Sequence, residues 1–139
     1  MNHTNRQGLE EVKFSEADWC NLLSISHRYE CERARERSIK EINKLDPPVN
    51  NADKIMMAKK FGVKEWLLPA CVALVERQDP LSHVEAEKLG LDMTILLSEV
   101  REKYIHEAQG SPVYYSYNPH SQKPHKDPSR LVKEILHIQ

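Results

Sequence analysis

The sequence predicts an all-α protein, built as an irregular bundle of six to seven short helices. Apolar residues recur three and four positions apart in successive blocks between Phe14 and Ala108, which is the period of an amphipathic helix. Most of these blocks end at a glycine or a proline, and several begin at a residue suited to capping a helix. The alternation of polar and apolar residues that would indicate a strand occurs only at 113–117.

The first two helices are predicted between Ser15 and the pair Pro47-Pro48. Ser15 and Asp18 have the spacing of an N-terminal capping box, with Asp in place of the usual Glu or Gln, so a helix should follow and run to about Arg28. A second helix is predicted over 32–45, with small and apolar residues on one face and charged residues elsewhere. The two prolines then end it.

The next two helices are predicted over 50–61 and 64–77. Asn50 or Asn51 can cap the first, and Gly62 is placed to end it in a left-handed conformation. Pro69 suits only the first turn of a helix, so the second should start near Leu68 or have a separate opening turn. The residues expected to be buried in the first are Ile55, Met56, Met57 and Ala58, and those in the second are Trp66, Leu67, Ala70, Cys71, Leu74 and Val75.

Three more segments complete the predicted architecture. Ser82 and Glu85 form a full capping box, which predicts a short helix ended by Gly90, and Asp92 is expected to cap a longer helix to about residue 108. Residues 109–127 are rich in Pro, Ser, Asn, His and Tyr and favour an irregular linker. After it, the order Asp127-Pro128 predicts an amphipathic terminal helix that either packs back on the body or binds a partner.

These assignments give a flexible segment at 1–13, a helical domain at 14–108, a linker at 109–127 and a terminal helix at 128–139. A chain of 139 residues with 40% hydrophobic content suffices for one domain with a modest core. The residues expected to form that core are Trp19, Leu22, Leu23, Ile39, Ile42, Ile55, Trp66, Leu67, Leu74, Leu81, Leu89, Leu96 and Val100.

Charge and cysteine content narrow the class of protein. The formal net charge is -1, so no global field favours nucleic acid or an anionic membrane. No apolar run approaches the roughly 20 residues that span a bilayer, and the polar start of the chain is unlike a signal peptide, so an intracellular protein of the cytoplasm or nucleus is expected. Cys20, Cys31 and Cys71 are scattered, which argues against a zinc site or a disulfide framework.

The search for chemistry predicts no catalytic residue, no cofactor site and no metal site, and therefore no enzyme. His106-Glu107 begins like the zinc-protease motif, but Gly110 stands where the second histidine would be. His120 and His125 fall in the linker, where histidines are usually solvated. The whole chain has only four glycines, too few and too scattered to predict a glycine-rich phosphate-binding loop.

Residues 82–103 suggest one alternative function, a helix-turn-helix regulator that binds DNA. Ala86, Gly90 and Leu96 have the spacing of such a unit. A recognition helix needs polar, base-reading side chains near its start, whereas Met93 and Ile95 make this end apolar. Glu99 also falls where the unit needs a packed apolar residue, so the segment favours a buried helix over a DNA-reading one.

Taken together, residues 15–102 resemble the helical region that follows the BTB/POZ domain in BTB-domain proteins of mushroom-forming fungi. The matches lie in the same order along about two thirds of the chain and are jointly more specific than any one of them. The matching residues are Trp19, Leu22-Leu23, Arg33-Ala34-Arg35, Ser38-Ile39, Asp53-Lys54-Ile55, Ala58, Phe61-Gly62-Val63, Glu65-Trp66-Leu67-Leu68-Pro69, Val72-Ala73-Leu74-Val75-Glu76-Arg77, Pro80-Leu81-Ser82, Glu85-Ala86, Leu89-Gly90-Leu91 and Val100-Arg101-Glu102.

The resemblance implies a non-enzymatic scaffold or adaptor that binds other proteins, with a fold like the helical extension of cullin-type ligase adaptors (a BACK-like extension). The BTB domain itself is expected to be missing here, and self-association would belong to that domain. Neither a membrane nor a nucleic acid is an expected partner. A third interpretation is a remnant whose core is incomplete without the upstream domain. The candidate partner contacts are Tyr114, Tyr115 and Tyr117 in the linker and Leu131 and Ile135 in the terminal helix.

Overall fold

The structure, a computed structural model, describes residues 13–109 and 127–139. Within these ranges the chain is all-α and contains no strand, which confirms the predicted fold class. The strand-like stretch at 113–117 lies outside the described residues. The seven described helices are α1 (Glu16–Arg28), α2 (Glu32–Asn43), α3 (Asn51–Phe61), α4 (Lys64–Glu76), α5 (His83–Leu89), α6 (Leu91–Gln109) and α7 (Ser129–Leu136).

The chain divides into two compact units, Met1–Val49 and Asn50–Gln139. In the first unit α1 packs against α2, and in the second α3 to α7 pack on one another. The break between the units falls just after the proline pair at 47–48, within the range 14–108 over which one helical domain is expected. The terminal helix also belongs to the second unit, where Leu131 and Val132 of α7 join the core.

The first unit is a pair of helices, α1 and α2, joined by residues 29–31 and packed against each other along one contact face. The Ser15 hydroxyl accepts the Asp18 backbone N–H at 3.2 Å and the Asp18 carboxylate accepts the Ser15 N–H at 2.8 Å, which confirms the capping box. The face buries Leu23 and Ile42 completely, together with two serines whose hydroxyls bond backbone carbonyls of their own helices. Helix α2 ends at Asn43, two residues before the predicted end.

Helix α3 begins and ends where the sequence predicts, but it buries a different set of side chains. The Asn50 side chain accepts the Ala52 N–H at 2.8 Å, and Gly62 ends the helix at φ 67°. Met57 is buried and Met56 is 39% exposed, so the expectation of a buried Met56 is wrong. Because α3 packs against both α4 and α5, its buried arc is wide, and Met56 falls just outside it.

Helix α4 runs without a break through Pro69, so neither predicted arrangement of its start is correct. A proline inside a helix removes the hydrogen bond to the carbonyl four residues earlier, here that of Glu65. Both Pro69 and Glu65 are exposed, so this gap in the hydrogen bonds lies on the outer side of α4, where we expect water to satisfy the carbonyl. The predicted stripe is otherwise confirmed: all its members are buried except the half-buried Leu67.

The core of the second unit lies where α3, α4, α6 and α7 meet. Its fully buried side chains include Ile55, Leu74, Leu97, Val100 and Val132. Burying an aliphatic side chain of this size contributes about 1.5–3 kcal/mol. Several other expected core residues are only half-buried, and they are Trp19, Leu22, Ile39, Leu67, Leu81, Leu89 and Leu96.

Candidate protein-interaction surface

Helix α6 is oriented by its start, by its buried face and by one arginine. Gly90 ends α5 and starts α6: its N–H bonds the Ala86 carbonyl and its own carbonyl accepts the Thr94 N–H at 3.0 Å. The backbone of Gly90, at φ 82° and ψ 163°, has a conformation that residues other than glycine rarely adopt. Asp92, predicted as the cap, therefore lies within the first turn.

The arginine is Arg101, whose guanidinium binds the end of α4. It donates hydrogen bonds to the carbonyls of Leu74, Gln78 and Asp79, the last at 2.9 Å. These carbonyls belong to the last turn of α4 and the loop after it, so the bonds satisfy groups that a helix end leaves open. Burial, and then the nearby Arg77, lower the pKa of Arg101 from its ordinary value. This contact fixes the rotation of α6 about its axis.

A second arginine joins α4 to α5. Arg77 donates from both terminal nitrogens to the Glu85 carboxylate, one of these bonds at 2.9 Å, and Nε and one terminal nitrogen also reach the carbonyls of Asp79 and Pro80. Hydrogen bonding to Arg77 lowers the pKa of Glu85, and the same bonds raise that of Arg77. Glu85 also completes the capping box with Ser82. The start of α5 is therefore tied to the end of α4.

With one face of α6 buried, a second apolar stripe lies on its outer face. Met93, Leu97 and Val100 point into the core, whereas Leu91 is 74% exposed and Ile95 56% exposed. We define the α6 stripe as the residues that share this outer face at helical spacing, Leu91, Ile95, Ser98, Glu102 and Ile105. At a rise of 1.5 Å per residue it is about 21 Å long.

The stripe has acidic flanks. Asp92, Glu99 and Glu102 lie on or beside it and are exposed. Lys103 is the nearest cation on the helix, and its amine lies 3.1 Å from the Glu99 carboxylate. The outer face of α6 therefore carries exposed apolar side chains at Leu91, Ile95 and Ile105, with Ser98 and Glu102 between the last two, and is net negative. An exposed set of large apolar side chains with a charged rim is typical of an interaction site.

The same outer face gives no support to the DNA-binding alternative. DNA reading needs arginine, lysine, asparagine or glutamine directed at base edges, and cations for the phosphates. Over 91–108 the arginine and lysine residues are Arg101, which binds the end of α4 instead, and Lys103, which is paired with Glu99. Glu99 is exposed, so the apolar contact that a helix-turn-helix needs at this position is absent.

The five residues predicted to contact a partner differ in their accessibility in the structure. Tyr114, Tyr115 and Tyr117 lie outside the described residues. Leu131 is only 5% exposed and belongs to the core, and Ile135 is half-buried against it. Helix α7 begins at Ser129 with Pro128 as its N-cap, one residue later than the predicted order of Asp127 as cap and Pro128 as first helical residue; the Asp127 carboxylate accepts the Ser129 N–H at 3.0 Å. Of the two α7 residues, Ile135 keeps some accessible surface while α7 stays packed.

Residues 13–109 and 127–139 contain neither a cluster of side chains suited to a metal ion nor a membrane-spanning helix. Among them, no group of three His, Cys, Asp or Glu side chains is placed to hold a metal. No helix in the described ranges is both long and apolar enough to cross a bilayer. Burial raises the pKa of Cys71 to about 12, so this thiol is unsuited to act as a nucleophile or metal ligand at neutral pH.

Comparison of the chain with known protein families, with curated proteins and with solved structures gives no match. The geometry of the molecule must therefore carry the functional argument. Reasoning from the sequence missed the α6 stripe because it assigned the apolar start of α6 to the core as a whole. The signal was present: Leu91 and Ile95 are four apart, and Met93, Leu97 and Val100 form a separate set.

Proposed function

We propose that this chain is a non-enzymatic protein-interaction module that docks a helix of a partner protein along the α6 stripe. The observation that carries the proposal is the exposure of Leu91, Ile95 and Ile105 on a helix whose other face is fully packed. An amphipathic partner helix laid along such a stripe would bury these side chains, which is a common mode of peptide recognition.

Charge complementarity specifies the partner further. The acids in and beside the stripe, Glu102 within it and Asp92 and Glu99 beside it, favour an apolar helix flanked by lysine or arginine. Glu99 is already close to Lys103, but exposed pairs of this kind are weak and exchange readily. The proposed occupant is therefore a basic amphipathic helix.

The resemblance of residues 15–102 to the post-BTB helical region of fungal BTB proteins supports the same class of function. In such proteins the helices extend a domain that recruits partners, which would make this chain adaptor-like. The tyrosines at 114, 115 and 117 and the half-buried Ile135 are proposed as secondary contacts.

A peptide selection tests the proposal. The full chain is used to select binders from a random 16-residue peptide library, and the affinities of the enriched peptides are measured by fluorescence anisotropy. Enriched peptides should place apolar residues three and four apart and carry lysine or arginine beside them. Ile95→Asp in the chain should weaken their binding at least about tenfold, because it places a charge inside the contact.

Met56→Asp is the matched control, because Met56 is an exposed apolar residue on another helix of the same unit. It should leave affinity within about twofold of the parent, as expected for a site away from the contact. Peptides that bind the Ile95→Asp and Met56→Asp variants equally well, or a selection that enriches acidic peptides, would contradict the proposal.

A further inference from the structure

A second candidate binding site lies in the first unit, at the open end of its helix pair. The segment before α1, α1 itself and the end of α2 enclose an open cleft of about 590 Å³. Its lining comprises Lys13, Phe14, Trp19, Arg37, Glu41, Lys44 and Leu45. The volume falls within the range of ligand pockets in proteins.

The wall of the cleft contains two aromatic rings. The centroids of Phe14 and Trp19 lie 4.7 Å apart with their planes tilted by 49°. Phe14 is 44% exposed and Trp19 is half-buried, so both rings offer surface to an occupant. Leu45 adds an aliphatic contact. An apolar or aromatic side chain inserted beside these rings would gain both burial and ring contact.

The rim of the cleft is basic. Lys13, Arg37 and Lys44 provide three positive charges against one negative charge, that of Glu41. Glu41 lies 3.2 Å from Arg37 Nε and 3.5 Å from Lys44 Nζ, so it holds the two cations beside each other. The Arg37 side chain is 66% exposed, so its guanidinium is accessible to a carboxylate of an occupant.

We propose that this cleft binds an acidic peptide segment, with an aromatic or aliphatic side chain of the peptide against Phe14 and Trp19 and its carboxylates on Arg37 and Lys44. The site is independent of the α6 stripe and opposite to it in charge. It would give the chain a second recognition surface, selective for partners that the stripe repels.

Two features of the cleft favour a peptide over the other anions that it might attract. Nucleic acid needs a run of cations along its backbone, whereas Glu41 interrupts this rim and would face the phosphates. A small aromatic acid would be left largely in water in an open cleft, while a peptide covers the cleft with its own chain.

Trp19 reports on the cleft directly. Trp66 is 5% exposed in the core of the second unit, so an aqueous quencher such as acrylamide should reach Trp19 far more readily. The full chain is titrated to about 1 mM with a hexapeptide that carries Leu-Phe between two pairs of acidic residues. Binding should change the emission of Trp19 and protect it from the quencher. A peptide with lysines in place of the acids, phenylacetate and a single-stranded oligonucleotide serve as comparison probes.

Variants then locate the contact. Arg37 and Lys44 are exposed, so Arg37→Gln with Lys44→Gln should leave the fold intact and weaken peptide binding about three- to tenfold. Arg33→Gln with Lys40→Gln is the matched control, because both residues are exposed cations of the same helix outside the cleft and their replacement also removes two charges; it should change affinity less than about twofold.

The proposal is overturned if the acidic peptide leaves Trp19 unaffected, or if the lysine peptide binds as tightly. Equal losses in the Arg37→Gln/Lys44→Gln variant and in the Arg33→Gln/Lys40→Gln control would also overturn it, since the effect would then be one of overall charge. If phenylacetate or the oligonucleotide binds more tightly than the peptide, the peptide is not the natural occupant and the assignment is rejected.

Discussion

The link between Arg77 and Glu85 provides the sharpest prediction about stability. We expect Glu85→Ala to destabilise the second unit, because the substitution removes both bonds to Arg77 and the return bond of the capping box. Charge-assisted hydrogen bonds contribute about 1.5–3 kcal/mol each when buried, whereas exposed ion pairs contribute about 0–1 kcal/mol.

The pair lies between these two limits, since the exposed fractions of the Arg77 and Glu85 side chains are 30% and 14%. The bond from the Ser82 N–H is long at 3.4 Å and adds little. After removal of Glu85, Arg77 keeps its bonds to the carbonyls of Asp79 and Pro80. The expected loss in the free energy of unfolding is therefore about 2 kcal/mol, from the principles for such pairs.

Urea unfolding of a Trp19→Phe background measures this loss. The remaining tryptophan, Trp66, is buried on α4, so its fluorescence reports unfolding of the second unit. With a slope of about 2 kcal/mol per molar urea, the midpoint should fall by about 1 M.

Glu99→Ala is the matched control, because Glu99 pairs with Lys103 on the same unit but both side chains are about half exposed. It should shift stability by less than about 0.5 kcal/mol. Both variants place alanine in a helix, so differences in helix propensity largely cancel. If Glu85→Ala costs no more than Glu99→Ala, the tie between α4 and α5 makes no net contribution to stability and the reasoning fails.

Three further predictions concern titration, thiol reactivity and backbone conformation. Because Arg77 lowers the pKa of Glu85 below 4.5, the stabilisation is complete above that value and is lost as pH falls through the folded pKa. The destabilisation caused by Glu85→Ala should therefore shrink as pH falls below 4.5, and a destabilisation that stays unchanged in acid would contradict an ionic cause. A thiol reagent at neutral pH should modify the exposed Cys31 rapidly and Cys71 only as the second unit unfolds; equal rates would contradict the burial of Cys71. Gly90→Ala should lower the free energy of unfolding by about 2 kcal/mol and Gly62→Ala by about 1 kcal/mol, as measured from urea midpoints. The reason is that alanine adopts the left-handed helical backbone of Gly62 more easily than the backbone of Gly90. Equal losses would contradict this.

Helix starts and stops were predictable because their signals are local. The capping boxes at Ser15 and Ser82 and the left-handed Gly62 each depend on hydrogen bonds or backbone angles within a few residues. Pro69 was misjudged because its cost depends on whether the orphaned carbonyl of Glu65 meets water, which is a property of the assembled unit.

Which face of a helix is buried depended on tertiary packing and was harder to predict. Met56 was expected to be buried because it is apolar, but the arc that α3 buries is set by α4 and α5. Leu131 was expected as a candidate partner contact because α7 is amphipathic, yet its apolar side fills the core. Leu131→Asp would consequently disrupt the second unit and does not test docking, whereas Ile95→Asp alters an exposed position.

The most direct test of the proposed function is photo-cross-linking from the α6 stripe in the cells that make the protein. A photoreactive amino acid is placed at Ile95 in one full-length variant and at Met56 in another, and the adducts are mapped by mass spectrometry. The account predicts that the probe at Ile95 yields a dominant adduct on a basic amphipathic helix of one protein, and that the probe at Met56 does not. Equal adducts from the two positions, or adducts from Ile95 on nucleic acid, would contradict it.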